Sequence, residues 1–339
     1  MRSRSDEEGA VLAAAASALG GSERIVLAVS GGLDSMVLLD AAAKTLSNRS
    51  RFLVATFNHG TGLHASRAAK LVEKCAKALG FRCVVGASKR AGRRESEWRE
   101  ERWNFLHATA RRFKGSVATA HTLDDQVETV FMRILRDAGP RGLAALFADS
   151  DVIRPFVTLT RSQLASYAYN REVRHVNDPS NESRAHLRNR VRHDILPAIT
   201  RIRPAFTHDL LMIARMSAQW RQDMSETVAQ LGVQLPGDGS VRVARAVLAG
   251  YDAASLRALW PAIAAEAGVV MDRRGTHRVA EFTMKGHTGG SIQLSGGIEV
   301  RMFRDHLLLK KWDAGRVEMI RSARLGHRIV RPGARPELT

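Results

Sequence analysis

The sequence predicts an α/β protein with a doubly wound, mostly parallel sheet, followed by a smaller, mainly helical domain with a short β-hairpin. Short apolar runs rich in β-branched residues alternate with longer helix-forming stretches through about the first 200 residues. This alternation is typical of parallel strands joined by helical crossovers. After residue 205 the apolar residues take helical spacing, and they alternate only near the end of 274–312.

The elements of the first part follow one another in a regular order. A helix with a loose end is expected in residues 1–22, and it ends at Gly20-Gly21. Strands are predicted for 25–29, 51–57, 81–85, 116–120 and 150–157. Helices are predicted for 33–43, 66–79, 95–113, 121–135 and 161–170, the last with Thr160 as N-cap. A polar loop is expected at 177–186, and a helix over 188–195 that ends at Pro197.

The change of pattern divides the chain into four predicted segments. These are an N-terminal helix or arm at 1–22, the α/β domain at 23–200, the helical domain at 205–312 and a basic tail at 313–339. The helical domain is predicted to hold amphipathic helices at 205–231 and 243–267, then one helix and a small antiparallel hairpin in 274–312. The first domain boundary is therefore expected in 198–206.

The charge of the chain is strongly positive. Lysine and arginine number 52 against 34 aspartate and glutamate, which gives a formal net charge of +18. An arginine-rich composition explains the use of arginine over lysine, but not the excess of positive over negative charge. A polyanionic partner explains that excess, and it indicates nucleic-acid binding.

Composition also limits the cellular setting. Hydrophobic residues make up 45% and charged residues 25%, which is ordinary for a soluble globular protein. No apolar run approaches the roughly 20 residues that a membrane helix needs, and the N-terminus is charged rather than signal-like. The two cysteines, Cys75 and Cys83, are not spaced for a metal site or a disulfide scaffold. We expect a cytoplasmic protein with no membrane partner.

A loop between the first strand and the first sheet-packed helix carries the clearest chemical pattern, Ser30-Gly31-Gly32-Leu33-Asp34-Ser35. A turn with two glycines at a helix start presents unpaired backbone N–H groups at the positive end of the helix dipole. Such a turn binds anions, most often phosphate. The loop is neither a Walker A loop nor G-x-G-x-x-G. A simple glycine-rich turn is the structural alternative.

A second group of polar residues follows the fourth predicted strand. That strand delivers His121 and Asp124 to the same sheet edge as the glycine loop. Asp124 and Glu128 are four residues apart, so they share one helix face. Two carboxylates on one face repel each other unless a metal ion or an ammonium group lies between them. The alternative is a solvated acidic helix start, which the helix dipole favours.

These motifs together carry a family resemblance. The Ser30–Ser35 loop resembles the pyrophosphate loop of the Rossmann-like N-type ATP pyrophosphatases. With Asn58-His59-Gly60, Arg188-Asn189-Arg190-Val191-Arg192 and Ile195-Leu196-Pro197, residues 23–200 closely resemble the tRNA(Ile)-lysidine synthetase family, and 274–312 do so more loosely. Arg99 and Arg102 match an Ala-Arg-x-x-Arg-Tyr helix of the family, whereas Trp103 replaces its tyrosine. Arg136-Asp137-Ala138-Gly139 departs from the usual Arg-Gly-x-Gly, and we expect no large extra C-terminal domain.

The resemblance implies an activity. Members use ATP to adenylate the wobble cytidine of the isoleucine tRNA with a CAU anticodon, and then attach lysine to C2. The product, lysidine, changes codon reading from AUG to AUA. By this resemblance 23–200 is the catalytic domain and 205–312 contacts tRNA. The resemblance does not decide the oligomeric state, and a homodimer is one alternative. The implied catalytic residues are Asp34, Asp124, Glu128, His121 and Arg102.

Binding roles follow from the same resemblance. ATP would be bound by Ser30, Gly31, Gly32, Leu33, Asp34, Ser35 and His59. Mg²⁺ would be held by Asp34 across the phosphates. Lysine would be held by Asp124, Asp125 and Glu128, of which one serves instead for Mg²⁺ or for deprotonating the amine. Phosphates of ATP or of the anticodon loop would be contacted by Arg99, Arg102, Arg188 and Arg192, with Asn189 beside them. For any single arginine, a surface salt bridge is the alternative.

Other functions remain as alternatives. A tRNA thiolase of the same superfamily usually employs cysteines, but Cys75 and Cys83 form no C-x-x-C pair. A GMP or NAD synthetase acts on small substrates, and a net charge of +18 would serve no purpose in binding them. A non-catalytic RNA-binding protein would not need intact Asp34, Asp124 and Glu128.

Overall fold

The structure is a computed structural model that describes residues 4–21, 23–60, 62–88, 95–177 and 182–311. The basic tail predicted for 313–339 lies outside the described residues. The chain divides into two compact units, Met1–Ala218 and Gln219–Thr339. None of the described helices is long and apolar enough to cross a membrane.

The first unit alternates strands and helices. Its strands are β1 (Arg24–Ala28), β2 (Phe52–Asn58), β3 (Arg82–Ala87), β4 (Gly115–Ala118) and β5 (Val152–Ile153). Its helices are α1 (Arg4–Leu19), α2 (Leu33–Thr45), α3 (Leu63–Ala78), α4 (Glu95–Phe113), α5 (Leu123–Ile134), α6 (Pro140–Leu143), α7 (Arg161–Asn170), α8 (Leu187–Arg190) and α9 (Leu196–Ile202). Helix α10 (Phe206–Gln230) begins in this unit.

The five strands form one parallel sheet in the order β3-β2-β1-β4-β5. This confirms the predicted doubly wound α/β class. The chain builds outward from β1 to β3 and then returns to place β4 on the other side of β1. The strand order therefore reverses between β1 and β4, and ligands of open α/β sheets bind at the carboxyl ends of strands at such a point.

Both faces of the sheet are covered, which is why its central strand is an unbroken apolar run. On one face Ile25 and Leu27 pack in a core shared with α1, α2, α3 and α7. On the other face Val26 packs with Leu106 and Ala110 of α4. Alternate residues of β1 thus support opposite helix layers, and the loop after β1 leaves from the middle of the molecule.

Several predicted elements of this unit differ in extent, among them β5, α5 and the helix at 188–195. Strand β5 spans only Val152–Ile153, not 150–157, because the chain turns after it. Helix α5 begins at Leu123, because Thr122 is its N-cap. The helix expected to end at Pro197 instead continues: a π-helical segment, Val191–Ile195, leads into α9, whose second residue is Pro197, a residue with no backbone N–H to donate.

The second unit combines helices with an antiparallel sheet. It contains β6 (Val241–Ala244), α11 (Arg245–Leu248), α12 (Ala253–Glu266), α13 (Arg273–Lys285), β7 (Ser291–Leu294), β8 (Ile298–Met302) and β9 (His306–Lys311). The strand order is β6-β9-β8-β7, so the predicted hairpin is part of a four-stranded sheet. Helix α12 and β8 share one core, in which Trp260 and Val300 are fully buried.

The prediction of a single helix over 243–267 was wrong. Val241–Ala244 pairs with β9 as a strand, and its alternating burial shows period two rather than helical spacing. The chain then breaks at Gly250, which has a φ of +94°. Helix α12 starts anew after Asp252, whose side chain accepts the Ser255 backbone N–H at 2.7 Å.

The observed division between the units falls inside α10, after Ala218, rather than in the expected 198–206. The first half of this helix contributes Leu210 and Ala214 to a core with Val127 and Val191. Its last turns contribute Val228 to the core of the second unit.

Replacing Tyr167 tests the packing of α7 on α2. The buried hydroxyl of Tyr167 donates a hydrogen bond to Asp40 Oδ2 at 2.7 Å. Tyr167→Phe should lower the free energy of unfolding by about 1.5–3 kcal/mol, because a carboxylate oxygen loses its donor. Urea unfolding measures this. Tyr169→Phe is the matched control, since Tyr169 is 81% exposed on the same helix and should change little.

Candidate active site

The loop after β1 is held in a shape that requires glycine. Gly31 has a φ of +92°, and a Cβ there would lie 2.9 Å from Ala68 Cβ and 3.2 Å from Ala68 O. Its carbonyl accepts the Val176 backbone N–H at 2.9 Å. The loop is therefore pressed against α3 and tied to the segment after α7, which fixes its position.

Two serine hydroxyls close the loop from within. The Ser30 backbone N–H donates to Ser35 Oγ at 3.1 Å, and Ser35 Oγ donates to the Gly32 carbonyl at 2.8 Å. Gly32 is the N-cap of α2 and supplies no side-chain acceptor to the first turn. The N–H groups at this end of α2 are thus left for another acceptor, and the helix dipole favours an anionic one.

Asp34 lies in the first turn of α2, two residues past the second loop glycine. Its Oδ2 is 3.5 Å from Arg161 Nε, whereas its Oδ1 is buried with no hydrogen-bond partner among the described residues. Burial raises the pKa of Asp34 against the attraction of Arg161. A buried carboxylate oxygen without a donor fits a cation.

A cation at Asp34 would need ligands beyond this one carboxylate. Among the described residues no three histidine, cysteine, aspartate or glutamate side chains group together as metal ligands. Mg²⁺ is commonly bound by one or two carboxylates together with substrate phosphates and water. Asp34 fits that arrangement.

Helix α5 is positioned by a capping box. The Thr122 backbone N–H donates to Asp125 Oδ2 at 2.9 Å, and the Asp125 backbone N–H donates to Thr122 Oγ1 at 3.3 Å. These reciprocal bonds satisfy two N–H groups at the helix start. One oxygen of Asp125 is therefore committed to holding α5 at the end of β4.

The other oxygen of Asp125 and the carboxylate of Glu128 meet three guanidinium groups. Asp125 Oδ1 accepts from Arg188 at 2.9 Å, Arg161 at 3.1 Å and Arg192 at 3.3 Å. Glu128, which is buried, accepts from Arg192 Nε at 2.6 Å and from Arg188 Nε at 2.9 Å. Arginines of this chain thus supply the positive charge that the buried carboxylates of Asp125 and Glu128 require.

This network also sets the ionisation of Asp125. Burial by itself would raise the pKa of its carboxyl. The charges of Arg188 and Arg161 and the N–H of Thr122 outweigh burial and hold the pKa below its usual value. Asp125 is therefore a carboxylate near neutral pH.

Asp124 and Glu128 border a cavity of about 360 Å³. Asp124 Oδ2 accepts the backbone N–H of Arg161 at 2.7 Å, at the start of α7. The polar wall also contains Arg161, Arg192 and three threonines, and the apolar wall is formed by Leu123, Val127, Leu196, Pro197 and Leu211. A cavity with both walls suits an alkyl chain that ends in a polar group.

His121 and Arg102, two of the predicted site residues, both lie near Arg188, one of the arginines that pair with Asp125 and Glu128. Burial lowers the pKa of His121 to about 4, so its imidazole is neutral near pH 7, and Nδ1 lies 2.8 Å from Thr119 Oγ1. Burial also lowers the pKa of Arg102, with the charges of Arg99 and Arg188 adding to the effect. Arg99, Arg102 and Arg188 thus form a positively charged group that suits phosphate.

Two further predicted residues lie at the margin. His59 follows β2, with its ring 5.1 Å from Phe57 and 6.4 Å from Trp98. Asn189 Nδ2 donates to the Ser183 carbonyl at 2.8 Å, which orients the segment before α8. Neither residue is placed by these contacts against the glycine loop.

The residue that sequence reasoning missed is Arg161. It joins Asp34 to Asp125 and Glu128, so it connects the glycine loop with the start of α5. The sequence does contain an indication of this role, because Arg161 is the first residue of a predicted helix. The helix dipole disfavours a cation at that position unless carboxylates compensate its charge.

The fold and the glycine loop define a PP-loop protein, since residues 8–199 match the family model described as the PP-loop domain. The curated tRNA(Ile)-lysidine synthase of Leifsonia xyli subsp. xyli is 31% identical over 301 residues, which cover 84% of this chain and 88% of that protein. The one of Salinispora arenicola is 33% identical over 229 residues, 63% of this chain and 69% of that protein. The chain belongs to the tRNA(Ile)-lysidine synthase family.

Other relatives are longer. The tRNA(Ile)-lysidine synthase of Burkholderia pseudomallei is 31% identical over 327 residues, which are 90% of this chain but 64% of that protein. For several such curated relatives the chain spans about half of the relative's length. Among solved structures, the U34-tRNA thiolase NcsA of Methanococcus maripaludis superposes with a TM-score of 0.51 at 14% identity, covering 64% of this chain and 79% of that one. That likeness shows the fold alone.

Substitution of Gly31 tests whether close contact shapes the loop. Gly31→Ala should lower the free energy of unfolding by about 1–3 kcal/mol more than Gly80→Ala, because only the first adds an overpacked contact to the cost of positive φ. Gly80 has a φ of +79°, and a Cβ added there would meet no atom within 4 Å. Thermal unfolding compares the two variants, and equal losses would contradict the contact.

Acid sensitivity should report on Asp125. Its folded pKa lies below the unfolded value of 3.8, so the stability it contributes is present above that value and is lost as pH falls through the folded pKa. Asp125→Asn should cost about 3–5 kcal/mol near neutral pH and flatten the fall in stability below about pH 5. Unfolding free energies across pH measure both effects. Asp194→Asn, in an exposed ion pair with Arg184, should show neither.

Proposed function

We propose that the chain is an ATP-dependent ligase that attaches lysine to C2 of the wobble cytidine of the isoleucine tRNA with a CAU anticodon. The observation that carries this proposal is the ion-pair path from Asp34 in the phosphate loop, through Arg161, to Glu128 in the wall of a cavity suited to an alkyl amine. A half-site for phosphate, at the glycine loop, therefore lies next to a half-site for an amine, in the cavity. Family membership supports the choice of tRNA and lysine as substrates.

The first half-site suits loss of pyrophosphate. The uncapped N–H groups of Gly32 and α2 would hold the β- and γ-phosphates of ATP. The cytosine O2 would attack the α-phosphorus, the bond to the bridging oxygen would break, and pyrophosphate would leave. When bound at Asp34, Mg²⁺ would supply charge neutralisation across the phosphates.

The second half-site suits an amine. Although Glu128 is already paired with Arg188 and Arg192, it borders the cavity beside Asp124, and the two carboxylates together would bind the ammonium of lysine. The apolar wall would contact its methylene groups. Because Arg161 and Arg192 lie in the same wall, their charge would lower the pKa of the bound amine and favour its neutral, nucleophilic form. The amine nitrogen would attack C2 of the adenylated cytidine, the C2–O bond to the phosphate would break, and AMP would leave. The proton lost by the nitrogen would pass to a bordering carboxylate, Asp124 or Glu128.

The RNA would be attracted by charge. The net charge of +18 and the grouped Arg99, Arg102 and Arg188 suit the anticodon phosphates. The reacting cytosine would leave its stack to reach the cavity. The neutral His121 beside these arginines would orient the base through a hydrogen bond.

A thiolase function is disfavoured by the cysteines. Burial raises the pKa of Cys83 to about 11, so its thiol stays protonated near neutral pH. Cys75 is a free, half-buried cysteine on α3. Neither residue fits the persulfide chemistry of a sulfur carrier.

The test is pyrophosphate release with ATP and transcribed tRNA, with and without lysine. Wild-type protein should release pyrophosphate only with the tRNA, and lysine should then appear in the RNA. Asp34→Asn should reduce release by at least about a hundredfold, since a charged group at the phosphates is lost. Asp149→Asn, an exposed residue away from the cavity, is the control and should match wild type. Release that ignores tRNA would contradict the proposal.

A further inference from the structure

Arg161 occupies a position between the two half-sites. Its Nε lies 3.5 Å from Asp34 Oδ2, its Nη2 lies 3.1 Å from Asp125 Oδ1, and its Nη1 lies 3.5 Å from Glu128 Oε1. Its backbone N–H is fixed by Asp124 at 2.7 Å. One guanidinium is thus shared by a carboxylate of the phosphate loop and two carboxylates of α5, while its backbone stays in place.

We propose that Arg161 is a positioning residue that competes with the divalent cation of the nucleotide for Asp34, and so makes cation binding and amine binding antagonistic. This inference rests on the proposed function, since it assigns the order in which the two half-sites fill.

The competition follows from charge. A divalent cation at Asp34 and the Arg161 guanidinium, 3.5 Å from the same carboxylate, repel each other. The guanidinium has other acceptors within reach, because it already contacts Asp125 and Glu128. A cation at Asp34 therefore shifts Arg161 toward α5 without leaving either charge unpaired.

The shift changes the cavity. Glu128 and Asp124 border the cavity together with Arg161. When the Arg161 guanidinium lies closer to the Glu128 carboxylate, it neutralises more of the negative charge there, and the cavity attracts an ammonium less strongly. Once Asp34 no longer held a cation, Arg161 would return to Asp34 and Glu128 would regain its attraction for an ammonium. Lysine thus binds best after adenylation, when the electrophile that it attacks has formed.

The surrounding network keeps the fold intact when Arg161 is changed. Arg188 and Arg192 each contact both Asp125 and Glu128, so the two carboxylates retain two guanidiniums each. Asp34 is 26% exposed and can be solvated. Arg161→Gln is therefore a usable variant, and Arg161→Lys keeps the charge.

The test is binding rather than turnover. The probe is an ATP analogue with a methylene group between the α- and β-phosphorus, titrated with Mg²⁺ at fixed analogue concentration. The Mg²⁺ concentration for half-maximal binding should fall about fivefold in Arg161→Gln, the factor expected for one partly exposed ion pair. It should stay near wild type in Arg161→Lys. A general structural defect would raise it, so a gain in affinity is specific to competition.

The control is Arg171→Gln, on the residue that follows α7, where Arg171 pairs with Glu8 at 3.4 Å. It should not change the Mg²⁺ dependence. An unchanged or raised midpoint in Arg161→Gln, with binding intact in wild type, would overturn the role of Arg161 alone. Failure of wild-type protein to bind the analogue at any Mg²⁺ concentration would reject the proposed function and this inference with it.

A second measurement needs no variant. In wild-type protein with the analogue at a concentration high enough to saturate it both in Mg²⁺ and in EDTA, lysine should bind several-fold more weakly in Mg²⁺, because the cation shifts Arg161 toward Glu128. Calorimetry measures both affinities. Equal or tighter lysine binding in Mg²⁺ would contradict antagonism.

Discussion

The site depends on a buried set of opposite charges. Asp125 and Glu128 have side chains only 11% and 3% exposed, and each would be costly to bury without its arginine partners. Those partners come from α7, α8 and the π-helical segment, which are distant from α5 in sequence. The network therefore brings the chain after the last strand back onto the sheet edge, and it fixes the cavity wall at the same time.

The main role of the three arginines and two carboxylates is to fix the positions of the elements that carry them. Replacing a buried ion pair with apolar residues is often neutral for stability, so stability alone does not explain three arginines around two carboxylates. Their arrangement instead specifies one position for each element at the switch point of the sheet. The same guanidiniums leave the cavity nearly balanced in charge, which suits the proposed lysine substrate, whose side chain would bind as an ammonium and react as an amine.

Sequence predicted most of the first unit because its central strand β1 is an apolar run buried on both faces and because glycine or capping residues mark several of its turns. It predicted the glycine loop and the proximity of Asp34 to α5 for the same reason, since carboxyl ends of parallel strands meet. It did not predict which cation neutralises Glu128, because Arg161, Arg188 and Arg192 are brought there by tertiary packing. It also missed β6, since Val241–Ala244 is too short to separate strand from helix by pattern, and its partner β9 lies far along the chain, at His306–Lys311.

The π-helical segment between α8 and α9 has a consequence for sequence change. The Leu196 N–H bonds to the Val191 carbonyl, five residues back, so this turn holds one residue more than a regular helix would. Removing one residue there would return the turn to regular α-helical spacing and leave the flanking helical segments facing as before. Arg188, on the N-terminal side, would then still face Glu128. A one-residue deletion should consequently be better tolerated in this turn than within α9, where it would turn the residues on either side away from each other.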